Sequence, residues 1–498
     1  MADFGYDISN HTDIDPVHVP GDGFRAKSHK RPAPTPGSRP AAEIPPAHTA
    51  TSTCGRTAGR RQRPAKLQAA STNWLSCFGG SAWQFDPIRG QCYLHQFCAE
   101  QPDLNFRHAG VREAMRSVVR FWLERGVDGF RVDAVKHLFE DPMLRDEPAD
   151  HNYLRHDFTT DYNETYDVMA EWRLVLDEVA GATGRRRLLV AEEAYSDLPA
   201  LMRYYSWRGK ALADFPFNFG LLTASGTERG GGGGGGGGSG RFCNAACLRT
   251  AAQQFLNAAP EGAWPNWVLG NHDNSRLSTR FPPEGRFVRA LNTLLLTLPG
   301  TPTCYYGDEL GMSDLQLLPE QMVDPLGRRF PEQSRDPPAA PCCPQAGFTD
   351  GPSPPWLPVE SGFGAKCVAR QLRMPNSTLA AFQAVAELRR QREFLDGELR
   401  FLMETEAELL AYWRGLGDSG YIVAMYISAN TEPLVLDLSA SGCRSMSLVA
   451  DFRAANRNDF SVSGVAMQPG DAIIAKAADC KPDQLELRVF QRSRREEL

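Results

Sequence analysis

The stretch Gly126 to Glu140, GVDGFRVDAVKHLFE, constrains the chain more than any other. Gly126 is the residue type that ends a helix in a left-handed turn. Val127, Phe130 and Val132 then read as a short buried strand, with Asp133 at its far end and Arg131 two residues back on the same strand face. Ala134, Val135, Leu138 and Phe139 restart a helical spacing. Helix, strand, acid at the strand's C-terminal end, helix is the unit of a (β/α) barrel, in which that strand end faces the active site. A surface aspartate capping the following helix would leave the same local pattern, so partners for Asp133 have to be sought elsewhere in the chain.

They recur at the ends of other strands. RLLVA (187–191) runs into Glu192 and Glu193, and Trp267 to Gly270 runs into Asn271, His272 and Asp273. Thr303 to Tyr306 reads as a strand ending in Gly307, Asp308 and Glu309. Between them lie amphipathic helices: apolar residues at 111, 115, 118, 119, 122 and 123, a second run from Glu164 to Val179, and a third from Val288 to Leu298. The alternation predicts an α/β chain built on a (β/α)8 TIM-type barrel. After about 399, short apolar runs separated by Gly, Asp and Asn (LLAYWR, YIVAMYIS, LVLDL, SLVADF, AIIAKA) predict a separate antiparallel β domain at the C-terminus.

The domain boundaries follow from composition. Residues 1–17 read as a barrel-loop remnant, and 18–72 as a disordered, basic, Pro- and Arg-rich segment that cannot bury enough apolar surface to offset its ordering entropy. Residues 73–106 form an aromatic-rich irregular excursion, and 107–395 the barrel, interrupted by a glycine-rich loop at 230–240. The β domain is placed at 396–480 and a charged tail at 481–498. The glycine run has no phosphate-loop lysine after it.

The bulk numbers exclude several function classes. With 54 basic and 60 acidic side chains the formal net charge is −6, which argues against nucleic acid or an anionic membrane as the main partner. No apolar run reaches the ~18 residues a membrane span needs, and the polar start MADFGYDISNHTDIDP is no signal peptide. Twelve cysteines are scattered without zinc-site spacing, and sequons at Asn10, Asn163 and Asn376 lean toward an extracellular or lumenal setting. On that reading the protein is secreted, or membrane-anchored when intact, and the exporting segment is absent from this chain.

Three strand-end acids fit glycosidic-bond cleavage with retention. That reaction needs two carboxyl groups about 5 Å apart, one attacking the anomeric carbon and one protonating the leaving oxygen. A third acid orients sugar hydroxyls. The attacking group must stay ionised, which Arg131 favours, and the acid must hold its proton near neutrality. His272 is suited to donate to a sugar hydroxyl.

Here the motifs become specific. GFRVDAVKH, LLVAEEAY and GNHDNSR resemble three signature regions of the α-amylase family of glycoside hydrolases (family 13). GYDISNHTDIDP, QPDLN, DFPFNF, PGTPTCYYGDELGM and SRDP with a later AGFT are similar to its α-glucosidase and oligo-1,6-glucosidase branch. The resemblance implies Asp133 as nucleophile, Glu193 as general acid/base and Asp273 as transition-state stabiliser. Glu193 is preferred over Glu192 because the family's acid directly precedes the Ala-Tyr pair, here Ala194 and Tyr195. Arg131 and His272 become subsite partners, and Asp7 with Arg335 the pair that closes the terminal-sugar subsite. The implied activity is a retaining α-glucosidase that removes terminal α-linked glucose from maltose-type oligosaccharides. It needs no redox cofactor, and it leaves room for a structural calcium that no motif here supports.

The chain also resembles the heavy chains of heteromeric amino-acid transporters (rBAT type), non-catalytic glycosidase-like ectodomains that act by pairing with a light-chain permease. NWLSCFGGSAWQFDPIRGQCYLHQFCAEQPDLNF, RHDFTT and PEGAWPNW carry that likeness. Such heavy chains usually lose catalytic residues, whereas this chain keeps Asp133, Glu193 and His272–Asp273. Against the family pattern, the first three barrel strands have no counterpart. Nothing between 20 and 70 matches the third-strand signature, and PPAAPCC follows Arg335-Asp336 where Met-Gln-Trp belongs. An inactive fragment is therefore the third expectation.

Overall fold

The computed structural model describes residues 72–148, 156–192, 196–224, 242–315, 366–403, 406–453 and 461–491, apart from a few single positions in and between these ranges. The sequence expectations for 1–17, most of 18–72 and the 230–240 glycine loop lie outside the described residues. The chain divides into two compact units that meet in sequence at Pro216 and Phe217.

In the first unit the aromatic-rich excursion forms a hairpin of β1 (Trp83–Asp86) and β2 (Gln91–Leu94). Helix α1 (Ala109–Glu124) follows and buries Val118, Val119 and Leu123, as its spacing predicts. It ends at Gly126, whose φ of 98° only glycine adopts cheaply. Strand β3 (Gly129–Val132) comes next, then α2 (Asn163–Thr183), β4 (Leu188–Ala191) and β5 (Phe215–Pro216). These strands form a parallel sheet in the order β3-β4-β5. Gly129 is obligatory in β3: a Cβ there would lie 2.2 Å from the Leu188 carbonyl oxygen of the next strand. Phe130, Val132, Leu189 and Ala191 point one way, into a core with Tyr166, Met169, Trp172 and Leu176 of α2. Asp214 ties the sheet to α2, accepting the Leu189 N–H at 2.8 Å and Arg173 at 3.1 Å.

The helix expected straight after Asp133 is shorter than its spacing suggested. Residues Val135–Leu138 make a single 3-10 turn. It cannot wind on from the strand, because Ala134 takes a left-handed conformation with φ of 48°.

The second unit holds α3 (Ala245–Ala258), β6 (Asn266–Val268), α4 (Val288–Thr297) and β7 (Thr301–Thr303). Strands β6 and β7 run parallel. Strand β7 sits two residues earlier than its apolar run, because Asn266 donates to the Thr301 carbonyl and to the Thr303 hydroxyl and pins that register. Helix α5 (Thr378–Leu388) packs on α4. There follow β8 (Glu398–Leu402), β9 (Leu409–Leu416), β10 (Ser419–Tyr426), β11 (Leu434–Asp437), β12 (Ser445–Asp451), β13 (Val465–Met467), β14 (Ala472–Ala478) and β15 (Arg488–Gln491). They build one antiparallel sheet in the order β8-β9-β10-β14-β12 and a smaller one in the order β13-β11-β15. Among the described residues, then, five parallel strands lie in two pieces, with antiparallel sheets after them.

One boundary needs correction. The charged tail does not begin at 481, because Arg488–Gln491 pairs with β11 and extends the β region. The β sheets fall in the same compact unit as the described residues from 217 on. The reason is visible at Arg414 on β9, fully buried, which donates to the carbonyls of Thr297, Phe394 and Gly397. Tyr412 beside it shares a 2.5 Å hydrogen bond with the Thr297 hydroxyl. Replacing Arg414 by Met leaves these carbonyls unpaired and lowers stability by about 3 kcal/mol, read as a reduced denaturant midpoint. Equal midpoints for the two proteins would show that the network adds nothing.

Among the described residues, two disulfides close within this unit, Cys243–Cys247 and Cys443–Cys480. Sequence spacing left their pairing open.

Candidate active site

The first cluster lies just past the C-terminal ends of β3 and β4. The parallel ladder pairs Val132 with Ala191, and the Glu192 N–H adds one more bond, to the Val132 carbonyl at 2.9 Å. Asp133 and Glu192 are therefore the first residues beyond adjacent strands. Arg131 lies on the same strand face as Asp133 and donates to its carboxylate at 3.1 Å. The same guanidinium forms an ion pair with Glu192. Arg131 and Asp133 are open to solvent, at 36% and 42% exposure, while the Glu192 side chain is 7% exposed. The left-handed Ala134 turns the chain sharply after Asp133, and Val135, fully buried, anchors that turn. Backbone in such a region costs of order 1–3 kcal/mol and persists only where the surroundings enforce it.

QPDLN supplies a buried polar group in the same unit. Asp103 accepts the Gln96 N–H at 3.3 Å, and its second oxygen has no hydrogen-bond partner. Burial pushes its carboxyl up to about 7. Gln96 also bridges to His137, whose ring burial keeps neutral.

The second cluster follows β6. Asn271 accepts the Asp273 N–H at 3.2 Å and the Asn274 side-chain amide at 2.8 Å, which folds the turn that carries His272 and Asp273. His272 Nε2 lies 3.5 Å from an Asp273 carboxylate oxygen, and both side chains are about one-third exposed. Arg276 lies over the rings of Tyr305 and Tyr306, 4.4 and 4.6 Å from their centroids. Under the turn is Asp308. A Cβ on Gly270 would come within 2.5 Å of its Oδ2, so the Asp308 carboxyl packs directly on the backbone leading to Asn271. Burial raises the Asp308 carboxyl to about 7, against the opposing pull of Arg276 and Arg280.

Of the residues singled out from sequence, Arg131 and Asp133 are brought together in the first unit, and His272 and Asp273 in the second. Glu193, Asp7 and Arg335 lie outside the described residues. Two residues at these clusters carry more than the motif reading gave them, Glu192 and Asp308. A charge at a strand end beside an arginine on the neighbouring strand was the available signal for Glu192. Among the described residues, no three His, Cys, Asp or Glu side chains converge on a metal position.

Residues 57–397 match the family profile described as "Alpha amylase, catalytic domain". The chain belongs to the α-amylase family. Within it, the chain is 33% identical to the salivary alpha-glucosidase of Aedes aegypti, over 88% of this chain and 78% of that protein. It is 32% identical to Maltase A1 of Drosophila melanogaster, over 88% and 79%. It is also 32% identical to the amino acid transporter heavy chain SLC3A1 of Homo sapiens, over 81% of this chain but only 58% of that protein. Among solved structures, an alpha-glucosyl transfer enzyme aligns with a TM-score of 0.67 at 30% identity, over 82% of this chain and 74% of that one. The trehalulose synthase of Pseudomonas mesoacidophila aligns with a TM-score of 0.69 at 25% identity, over 83% and 77%. The fold is thus that of a barrel-class glycoside hydrolase catalytic domain carrying C-terminal β sheets.

Proposed function

We propose that this chain is a retaining α-glucosidase-type glycoside hydrolase acting on terminal α-linked glucose of maltose-type oligosaccharides. The observation that carries the reading is Asp133 at the C-terminal end of a parallel strand, solvent-open and ion-paired to Arg131. A carboxylate held this way is placed to attack the anomeric carbon from one face of the sugar. Glu193 protonates the departing oxygen, and the same group then takes a proton from the water that hydrolyses the glycosyl-enzyme. The family resemblance assigns Asp273 and His272 to ring hydroxyls, and Asp7 with Arg335 to the terminal-sugar subsite. The relatives named alpha-glucosidase and maltase support this substrate class.

The stereochemistry gives a direct test. Two inversions in sequence release glucose first as the α-anomer, which proton NMR resolves before mutarotation. The β-anomer as first product would rule out the retaining assignment.

Among the described residues β3 pairs only with β4, and Leu188, on the face away from the helices, is 38% exposed. Parallel sheets are ordinarily covered on both faces. Two disulfides and the salivary relatives favour an exported protein. Among the described residues no helix is long and apolar enough to cross a membrane.

The transporter heavy chain is the second reading, favoured by the match to SLC3A1. It predicts co-purification of the intact gene product with a permease light chain and no glucose release.

A further inference from the structure

We propose that Glu192 is a positioning residue for the glycosidic reaction: its buried carboxylate holds the Arg131 guanidinium between itself and Asp133, so that one cation serves two anions. The inference rests on the glycosidase reading for its consequence, though not for the pairing itself.

Three observations meet at this residue. Its backbone is fixed, because the N–H continues the β3–β4 ladder onto the Val132 carbonyl at 2.9 Å. Its side chain is 7% exposed, so it is not a solvated surface partner. Its ion-pair partner is Arg131, the residue that donates to Asp133 at 3.1 Å. A buried carboxylate without a cation is costly, so Glu192 demands Arg131 as strongly as it orients it. Without that pair Arg131, 36% exposed at its strand end, would sample more rotamers. Gripped from the β4 side, the Nη2 that pairs with Glu192 is presented to Asp133 in one geometry. The grip also shares the positive charge. An Asp133 carboxylate that owned the whole guanidinium would be over-stabilised in the ground state and a poorer nucleophile. With Glu192 drawing on the same cation, Asp133 keeps its nucleophilic character.

Two experiments on the full chain test this. The first is a thermal-unfolding cycle, which needs no activity. Arg131→Met leaves Glu192 buried and unpaired and lowers the melting temperature; adding Glu192→Gln removes the orphaned charge and restores most of the loss. If R131M and R131M/E192Q melt together, the pairing is absent and the proposal falls. The second is kinetic. E192Q lowers kcat about tenfold with KM changed less than about twofold, because positioning is expressed in the transition state, and Glu192→Asp recovers part of the loss. A loss as complete as that of Asp133→Asn, reversed by added azide, would make Glu192 the acid/base group and overturn the positioning role. Unaltered kcat in E192Q would overturn it as well. A wild-type chain that hydrolyses nothing sinks the glycosidase reading, while the melting cycle still decides whether Glu192 holds Arg131.

Discussion

Asp133→Asn abolishes release of glucose from an aryl α-glucoside while leaving the chain folded. The amide keeps the shape of the carboxylate and its hydrogen bond with Arg131 but cannot form the glycosyl-enzyme. Loss of the attacking group costs at least about a thousandfold in kcat, with little change in substrate affinity, since binding contacts are spread over the other subsite residues. The fold is spared because Asp133 is 42% exposed and ends its strand, so no core packing depends on its charge. Circular dichroism and the melting temperature check that condition. Hydrolysis by the Asn variant within tenfold of the parent would remove Asp133 from the chemistry, and with it the assignment of the site.

The second large effect is on stability against pH. Asp103 and Asp308 are both buried, each with an oxygen that has no hydrogen-bond partner, and burial raises both carboxyls from 3.8 to about 7. The folded state therefore binds protons that the unfolded state has released. The sign follows from linkage: the contribution is fully present below the unfolded value near 4 and is lost as pH rises through about 7. Each group contributes up to about 4 kcal/mol across that window, since a tenfold change in proton affinity corresponds to about 1.4 kcal/mol. Asn at either position mimics the protonated acid at every pH. D103N and D308N should match the parent near pH 4 and exceed it in denaturant midpoint at pH 8. The double variant should flatten the dependence most, because the two sites are remote in sequence and share no partner among the described contacts. Parent and double variant with the same slope between pH 4 and 8 would show that both acids ionise freely in the folded chain.

Local periodicity made much of the first unit legible. The spacing of Val118, Val119 and Leu123 gave α1, Gly126 gave its end, and the apolar run to Val132 gave β3. These features depend on which residues share a face and on one positive φ, both encoded within a few residues. Elements governed by distant partners were displaced or missed. Strand β7 moved because Asn266, on another strand, sets its register. Arg488–Gln491 looked like tail until β11 supplied the ladder that makes it a strand. The turn after Asp133 broke the expected helix because Ala134 is left-handed, a conformation nothing in the alanine itself requests.

The amino-acid sequence alone determined the family and the chemistry expected of Asp133, because motifs at strand ends combine residue type with a spacing that few folds tolerate. Tertiary structure alone decided what Glu192 does. Two neighbouring glutamates are equivalent in composition, and only the parallel register of β3 and β4 sets one of them, buried, against Arg131. The physical reason is range: side-chain periodicity acts over a turn or two of chain, whereas a charge pair depends on distances between segments roughly sixty residues apart, which only folding fixes.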